Sequence, residues 1–338
     1  MGSIAECTFD TCPVAASPYG YPPSTIADAI FFIIHIGSLL ACLLYSYYLT
    51  DSNKRWLNFS IPVSIACLFE AIGYAVRLGS VSDPWNVALY ATSTSFLLVA
   101  PALVSAGIYM TIPETIAILG VEHSLVNTTH YPHLIWIDVV GFVLELVGII
   151  ISFSDLSPDR GLGPHIELGN PIIAAGIGLQ SLSLICFLVL FAVVLFRAAV
   201  AHHQFGYTTF HPIHGFLPMA HRFKFFIAMV LISVMCLLGR NLYQMVILGT
   251  GLNSSTAKNQ ALFAGLDSLL VAEAVVGLVV AHPVRFLRDG VEKRRGSRST
   301  TPMMAEEQRA TQYGIYDRPT GHDHTPWGSA ANSTTNFI

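Results

Sequence analysis

The chain has 338 residues, of which 53% are hydrophobic and 11% are charged, and its formal net charge is -4. A soluble domain usually carries about 25% charged residues, so this composition excludes an ordinary soluble enzyme. The sequence contains no basic face suited to nucleic acid, and we expect no nucleic-acid partner. It predicts an all-α integral membrane protein.

Seven apolar stretches have about the 20 residues that a helix needs to cross a bilayer. No Lys or Arg precedes the first stretch, so we expect no cleavable signal peptide and interpret that stretch as a true span. The predicted spans lie near residues 25–48, 58–78, 87–111, 134–153, 170–197, 224–248 and 259–282. Together they predict a seven-transmembrane-helix bundle over residues 25–285.

Basic residues beside the spans predict the orientation of the bundle, because Lys and Arg accumulate on the cytosolic side. They follow the first span, flank the loop between spans five and six, and cluster after span seven. These residues are Lys54, Arg55, Arg197, Arg222, Lys224, Arg285, Arg288, Lys293, Arg294, Arg295 and Arg298. With seven spans all of them lie on one side, so we predict an N-out, C-in protein.

Two segments flank the predicted bundle. Residues 1–24 form an extracellular leader, in which Cys7 and Cys12 are either bridged or free, since a disulfide is permitted outside the cell. Residues 286–338 are polar and poor in aliphatic side chains. Such a segment buries too little apolar surface to offset its ordering entropy, and we predict a disordered cytosolic tail.

Ionisable side chains inside the predicted spans need an explanation, because a charge at mid-bilayer costs roughly 2.5–3.5 kcal/mol. They are His35, Glu70, Arg77, Asp138, Glu145, Arg240, Asp267, Glu273 and His282. At a rise of 1.5 Å per residue, four of them come out roughly 12 Å below the outer surface. These four, on four different helices, are Glu70, Glu145, Arg240 and Asp267. The sequence therefore predicts a shared polar layer.

Acids outnumber arginines among these residues. We expect Arg240 within salt-bridge reach of Glu70 or Asp267, since an unpaired guanidinium at that depth is costly. At least two carboxyls must then be protonated, solvated, or available to a cationic ligand. We expect a polar cavity open toward the outer leaflet, beside span three, where Pro101 frees a backbone carbonyl for neighbouring hydroxyls or water.

Histidines in the loop from 198 to 223 do not form a metal motif. The loop carries His202, His203, His211, His214 and His221, with no Cys or acid at zinc-ligand spacing. The chain also lacks a P-loop and a His-Glu-x-x-His motif. We expect no metal and no cofactor.

One short motif in span two is the most specific feature of the sequence, and a second motif before span one supports it. Glu70-Ala-Ile-Gly-Tyr-Ala-Val-Arg77 reads Glu-x-x-Gly-Tyr-x-x-Arg, and Tyr19-Gly-Tyr-Pro-Pro-Ser24 precedes the first span. Both resemble motifs of the fungal RTA-like family, the lipid-translocating exporters. Further matches are Ala100-Pro-Ala, Ala106, Tyr109, Asp138, Ala175-Gly176, Gln180, Arg240, Asp267 and His282-Pro283.

This resemblance covers residues from about 19 to 285. It implies a seven-helix, multi-pass protein of the plasma membrane that moves or expels amphiphilic molecules. The expected function is transport, export or leaflet translocation of a lipid or amphiphile, such as a sphingoid base or a sterol-like toxin. The expected substrate-cavity residues are His35, Glu70, Tyr74, Arg77, Tyr109, Asp138, Glu145, Gln180, Arg240, Asp267 and Glu273.

The chain departs from the family pattern at four positions. Gln244 and Ile247 stand where the family usually has an Arg and a Glu, so both partners of one intrahelical pair are replaced together. Glu145 stands where the family tends to have Gln, and Glu273 is an additional acid. A more acidic cavity than usual indicates a more basic or more hydroxylated ligand.

Two other functions remain open. A membrane-embedded enzyme would use Asp138, Glu145 and Glu273 as general acids on a lipophilic substrate. By the rise per residue, Asp138 and Glu273 share a deeper level, roughly 21 Å below the outer surface. A seven-helix sensor or receptor is favoured only by the number of spans, which is an analogy of fold.

Overall fold

The computed structural model describes residue 9 and residues 11–49, 56–120, 123–126, 131, 133–154, 165–205, 209–211, 215–217, 221–251 and 254–287. The chain divides into one compact unit over Met1–Arg294 and a second over Arg295–Ile338. All described residues belong to the first unit, and the predicted tail beyond residue 287 lies outside them. So does Cys7, whereas Cys12 is disulfide-bonded.

Seven helices in the described ranges are long and apolar enough to cross a membrane, which confirms the predicted seven-helix architecture. Six are continuous: α1 Thr25–Leu49, α2 Leu57–Gly79, α3 Val87–Leu119, α4 Leu134–Ser152, α5 His165–Phe205 and α6 His221–Thr250. The seventh, α7, joins a short α-helical Gln260–Leu262, a π-helical Phe263–Ser268 and an α-helical Leu269–Val280. A short 3-10 helix, Val14–Ala16, precedes α1.

Two three-residue strands lie between α5 and α6. β1 Thr209–His211 pairs antiparallel with β2 Gly215–Leu217, and Phe210 lies opposite Phe216. This hairpin falls in the histidine-bearing loop. Among the described residues, no group of three or more His, Cys, Asp or Glu side chains is placed to hold a metal ion.

Two helices continue well beyond the apolar stretches that predicted them. α3 continues past the predicted end at 111 to Leu119, and α5 continues past 197 to Phe205. Hydropathy marks where the membrane ends, whereas helical hydrogen bonding continues into water. The 33 residues of α3 span about 50 Å, more than a hydrocarbon core of about 30 Å.

Glycines bring α4 and α5 into close contact. A Cβ atom added to Gly141 would lie 2.8 Å from the carbonyl oxygen of Gly176, and one added to Gly148 would lie 3.0 Å from that of Gly169. In lipid, helices associate through close van der Waals packing rather than through the hydrophobic effect, and small residues allow their backbones to approach this closely. α4 and α5 therefore form one tight helical pair.

The main apolar core and the two buried ion pairs occupy different halves of the bundle. The main apolar core, which includes Val63, Ile108, Phe187 and Leu237, lies toward the predicted cytosolic side. Large apolar side chains are exposed on the outside of the long helices other than α3, as a lipid-facing surface requires. The two buried ion pairs lie in the other half.

Candidate functional site

The centre of the polar layer is a buried ion pair between α6 and α7. Arg240 Nε donates to Asp267 Oδ1 at 2.9 Å, and the two side chains are 1% and 4% exposed. Gln244, one turn further along α6, donates through Nε2 to the same Asp267 oxygen at 2.7 Å. The predicted pairing of Arg240 with Asp267 is confirmed, and Gln244 takes part in it.

A second contact of Arg240 explains why Pro101 is tolerated within α3. Pro101 has no N–H, so the carbonyl of Leu97 lacks the donor that a regular helix would provide four residues on. Arg240 Nη2 donates to that oxygen at 3.0 Å and to the carbonyl of Leu98 at 3.4 Å. The guanidinium thus replaces the hydroxyls or water expected from the sequence, and it joins α3, α6 and α7.

Asp267 lies within the π-helical segment of α7. π-helical turns are rare and are frequent at functional sites. Asp267 and the adjacent Ser268 are both buried, and Ser268 Oγ has no hydrogen-bond partner among the described residues. The widened turn therefore carries the acid that neutralises Arg240.

Glu70, His35 and Tyr74 lie next to this ion pair. Glu70 is 2% exposed and within electrostatic range of Arg240 and Asp267, and its Oε1 has no hydrogen-bond partner in the described ranges. His35 stacks on Tyr74 with ring centres 5.6 Å apart. His35 Nδ1 donates to the Phe31 carbonyl at 2.8 Å, and its buried Nε2 is left without a described partner.

A second ion pair closes the outer end of the bundle. Arg77 Nε donates to Asp28 Oδ1 at 2.9 Å, and Nη2 donates to the Tyr21 hydroxyl at 2.8 Å. The guanidinium lies 4.2 Å from the ring centre of Phe263 and 4.8 Å from that of Tyr19. Arg77 is therefore held inside a cage of aromatic rings rather than extended toward water.

The leader segment supplies part of that cage. Tyr19 is 3% exposed, its hydroxyl donates to Ser80 Oγ at 3.1 Å, and its ring packs edge-on against Tyr90. Burial raises the pKa of the Tyr19 phenol, and the Arg77 cation opposes that shift. Gly20 has a φ of +72°, and a Cβ atom there would lie 2.5 Å from the Lys258 side chain.

Two carboxyls on α4 form no salt bridge among the described residues, although Glu145 lies within electrostatic range of Arg240. Asp138 is 3% exposed and Glu145 is 0% exposed, and none of their four carboxyl oxygens has a described hydrogen-bond partner. They are seven residues apart, hence on one face of α4 and about 10 Å apart along it. Among the described buried acids, only these two have both carboxyl oxygens without a hydrogen-bond partner of good geometry.

Side chains from α3 and α5 surround these carboxyls. Tyr109 Oη and Ser183 Oγ hydrogen-bond to each other at 3.0 Å beside Asp138. Gln180 lies beside Glu145, and its buried Nε2 has no hydrogen-bond partner of acceptable geometry in the described ranges. Glu145 packs directly against Gly176 of α5, since a Cβ atom added to Gly176 would lie 2.9 Å from the Glu145 Cγ.

Glu273 is placed differently from what its depth indicated. Its side chain is exposed on the outside of α7, next to Cys236, whereas Asp138 is buried. Glu273, Val276 and Val280 form the exposed face of that helix segment. Depth along a helix does not define the face, so Glu273 and Asp138, although predicted at one depth, do not lie in one site.

A separate pocket lies at the opposite end of the bundle from the ion pairs. Its volume is about 190 Å³, and it is lined by Trp56, Asn58, Phe59, Met110, Thr111, Pro113, Glu114 and Pro283. The predicted polar-cavity residues do not line it. Sequence reasoning missed this pocket, and it also missed Asp28 as the partner of Arg77.

Comparison with known proteins gives a family match over most of the membrane domain. The family model described as "RTA1 like protein" matches residues 63–290. The sphingoid long-chain base transporter RSB1 of Saccharomyces cerevisiae is 25% identical over 268 residues, which cover 71% of this chain and 68% of that protein.

Two further yeast relatives match shorter regions. Protoporphyrin uptake protein 1 of Saccharomyces cerevisiae is 24% identical over 194 residues, covering 48% of this chain and 61% of that protein. Protein RTM1 of Saccharomyces cerevisiae is 28% identical over 113 residues, covering 33% and 37% of the two chains. No solved structure matches the chain significantly.

Proposed function

Because this chain belongs to the RTA1-like family, we propose that it moves a lipid or amphiphilic molecule across the plasma membrane or between its leaflets. The substrate has a hydrocarbon tail and a basic or hydroxylated head, as a sphingoid base does. Relatives named as a sphingoid long-chain base transporter and a protoporphyrin uptake protein support a lipophilic substrate that carries polar groups.

The observation that carries the proposal is the uncompensated pair on α4. A buried carboxyl without a hydrogen-bonding partner is costly, and ionisable groups within membrane helices typically mark substrate or ion pathways. Asp138 and Glu145 have four oxygens without described partners, whereas Arg77 and Arg240 each have an acid. A cationic or hydroxylated head would give these oxygens the donors that they lack.

Surrounding hydroxyl and amide groups favour a head that both donates and accepts hydrogen bonds. Tyr109 and Ser183 lie beside Asp138, and Gln180 beside Glu145. The ion pair of Arg240 and Asp267 is interpreted as the structural frame of the site, because both partners are already engaged. In this proposal α4 binds the head, and the exposed apolar surface of the bundle accommodates the tail.

A leaflet assay tests the proposal directly. Purified protein in liposomes is given a fluorescent sphingoid base in one leaflet, and its appearance in the other is followed by quenching. We expect wild type to accelerate the movement, Glu145→Gln together with Asp138→Asn to reduce it at least about ten-fold, and Glu167→Gln to leave it unchanged.

Glu167 is the matched control because it is an exposed acid in the first turn of α5. Absence of acceleration by the wild-type protein would contradict the proposed transport. Equal rates for wild type and the double variant would exclude the α4 pair as the head-binding site. Mass spectrometry of the same lipids would reveal any chemical conversion, which the transport proposal does not include.

A further inference from the structure

A line of buried polar side chains follows the contact of α2 with α1 and α7, and we refer to it as the polar seam. At its outer end Asp28 pairs with Arg77, and at its inner end His282 Nε2 lies 3.1 Å from Ser60 Oγ. The segment of α2 from Ser60 to Arg77 is about 25 Å long. A hydrocarbon core is about 30 Å thick, so the seam carries polar groups through most of the membrane.

Tyr74 and Glu70 occupy the middle of the polar seam. The Tyr74 ring stacks on His35 of α1 with ring centres 5.6 Å apart. Tyr74 also lies beside Ser268 of the π-helical turn and within electrostatic range of Glu70. Further in, Cys67 lies within electrostatic range of both Glu70 and Cys42. The seam thus continues inward from Glu70 along the same contact of helices.

Several buried atoms of the polar seam lack a hydrogen-bond partner in the described part of the chain. They are Asp28 Oδ2, His35 Nε2, Ser64 Oγ, Glu70 Oε1 and Ser268 Oγ. His35 and Ser268 are 0% exposed, and Glu70 is 2% exposed. Each unpaired buried atom is costly, and each asks for a role or a ligand. Because Tyr74 stacks on both Phe31 and His35, the ligand must be very small.

The charges around Glu70 favour a proton as that ligand. Arg240 lies within electrostatic range of Glu70 but already pairs with Asp267. An ionised Glu70 would therefore leave an unbalanced negative charge in the membrane interior, which is costly, and a proton removes it. Hard metal cations need several oxygen ligands, and the guanidinium would repel them. The ionisable groups near Glu70 are His35 on α1, Cys67 and Tyr74 on α2, Arg240 on α6 and Asp267 on α7, while α3 packs against this helix through Leu97.

Arg240 connects the polar seam with the carboxyls on α4. It lies within electrostatic range of Glu70 on one side and of Glu145 on the other. Charges interact strongly in a medium of low dielectric constant. A change in the charge of Glu70 therefore alters the electrostatic field at Glu145, which gives the two sites a means of coupling.

We propose that Glu70 binds a coupling proton, that the polar seam conducts this proton between the two sides of the membrane, and that its passage drives the movement of the amphiphile. Loading forms an O–H bond on Glu70 with a proton from water on one side, and release returns that proton to water on the other. The inference rests on the proposed function and adds an energy source to it.

Full-length protein in liposomes, with the fluorescent sphingoid base as cargo, tests the coupling. The transleaflet ratio of the base is measured with and without a gradient of one pH unit, at a potential clamped by valinomycin, and protein-free liposomes give the background. Exchange of one proton per molecule should change the ratio about ten-fold, the factor that one pH unit represents. Glu70→Gln should remove this response, Glu70→Asp should restore part of it, and Glu167→Gln should keep it.

Carbodiimide labelling of the wild-type protein tests the proton site without a variant. Dicyclohexylcarbodiimide modifies protonated carboxyls in apolar surroundings, and mass spectrometry maps the modified residues. Glu70 should be modified at acidic pH and progressively less as the pH rises. The same modification at every pH, or none at any pH, would overturn the proposal, as would a full gradient response in Glu70→Gln.

The two experiments also separate this proposal from the proposed function. Lipid movement that ignores the gradient would refute proton coupling and leave the transport function standing. Modification of Glu70 that depends on pH, in a protein that moves no lipid, would support the proton site and contradict the transport function.

Discussion

Arg240 donates to the carbonyl of Leu97, the oxygen that Pro101 deprives of its helical donor. One side chain therefore neutralises an acid on α7 and repairs a proline gap in α3. Removing it would leave Asp267 as a buried charge and Leu97 as a buried acceptor. A different second substitution compensates each loss, so double variants can measure the two contributions separately.

The first prediction concerns this double role. Arg240→Leu should destabilise the protein by about 3–5 kcal/mol, the cost of breaking a buried pair by removing one partner. Adding Asp267→Asn should recover part of the loss, and Pro101→Ala should recover another part by restoring an N–H for Leu97. Thermal unfolding in detergent measures each step. Arg222→Leu, at an exposed position in the first turn of α6, is the control. No recovery with either second substitution would contradict the assignment.

The second prediction concerns the glycine contact of α4 and α5. Gly176→Ala should lower stability by about 1–3 kcal/mol, because its Cβ would meet the Gly141 carbonyl and cannot be accommodated without separating the helices. Gly178→Ala is the matched control, since nothing lies within 4 Å of a Cβ there. Its helix propensity should stabilise the protein by up to about 1 kcal/mol. Equal melting temperatures for the two variants would show that the contact is not tight.

The third prediction concerns the leader over Arg77. Gly20→Ala should cost about 1–2 kcal/mol from its positive φ and should also displace the Lys258 side chain. Hydrogen exchange of residues 11–24 should accelerate as Tyr19 loses its place beside Ser80. Gly251→Ala has a similar φ of +85° but open space around its Cβ. If Gly251→Ala accelerates exchange in the leader equally, the local contact is not responsible.

The fourth prediction concerns orientation. Basic residues predict the leader outside and the tail in the cytosol. Protease added to intact cells should remove an epitope inserted after Ser3 and leave one at the C-terminus intact. Permeabilised cells serve as the control, since both epitopes should then be lost. Protection of the leader in intact cells would invert or refute the predicted topology.

The lengths of the apolar stretches and the depths of the charged residues along them predicted the number of spans and the central ion pair. The number of spans follows from the apolar stretches, because no other structure satisfies the backbone in lipid at that length. The Arg240–Asp267 pair follows from two charges at one depth that must find each other. Both inferences need only position along the chain.

Rotation about the helix axis and backbone acceptors were harder to predict. Asp267 and Glu273 are six residues apart, about 240° around a regular helix, so a shared interior position was unfavourable from the start. Pro101 predicted a freed backbone carbonyl, but nothing in the sequence indicated that Arg240 would be its donor. Asp28 lies only one turn into α1, and it was not among the ionisable residues considered within the spans. The inner pocket depends on where α3 ends, which hydropathy does not fix.

The π-helical turn of α7 has a consequence for sequence length. A π-helical turn contains one residue more than an α-helical turn that covers the same distance along the helix axis. A one-residue deletion between Phe263 and Ser268 can therefore convert the π-helical turn into a regular α-helical turn, and the length of the helix across the membrane stays the same. The same deletion within Leu269–Val280 would shorten the helix by about 1.5 Å. Among related chains, single-residue gaps in the seventh span should accordingly fall within this segment.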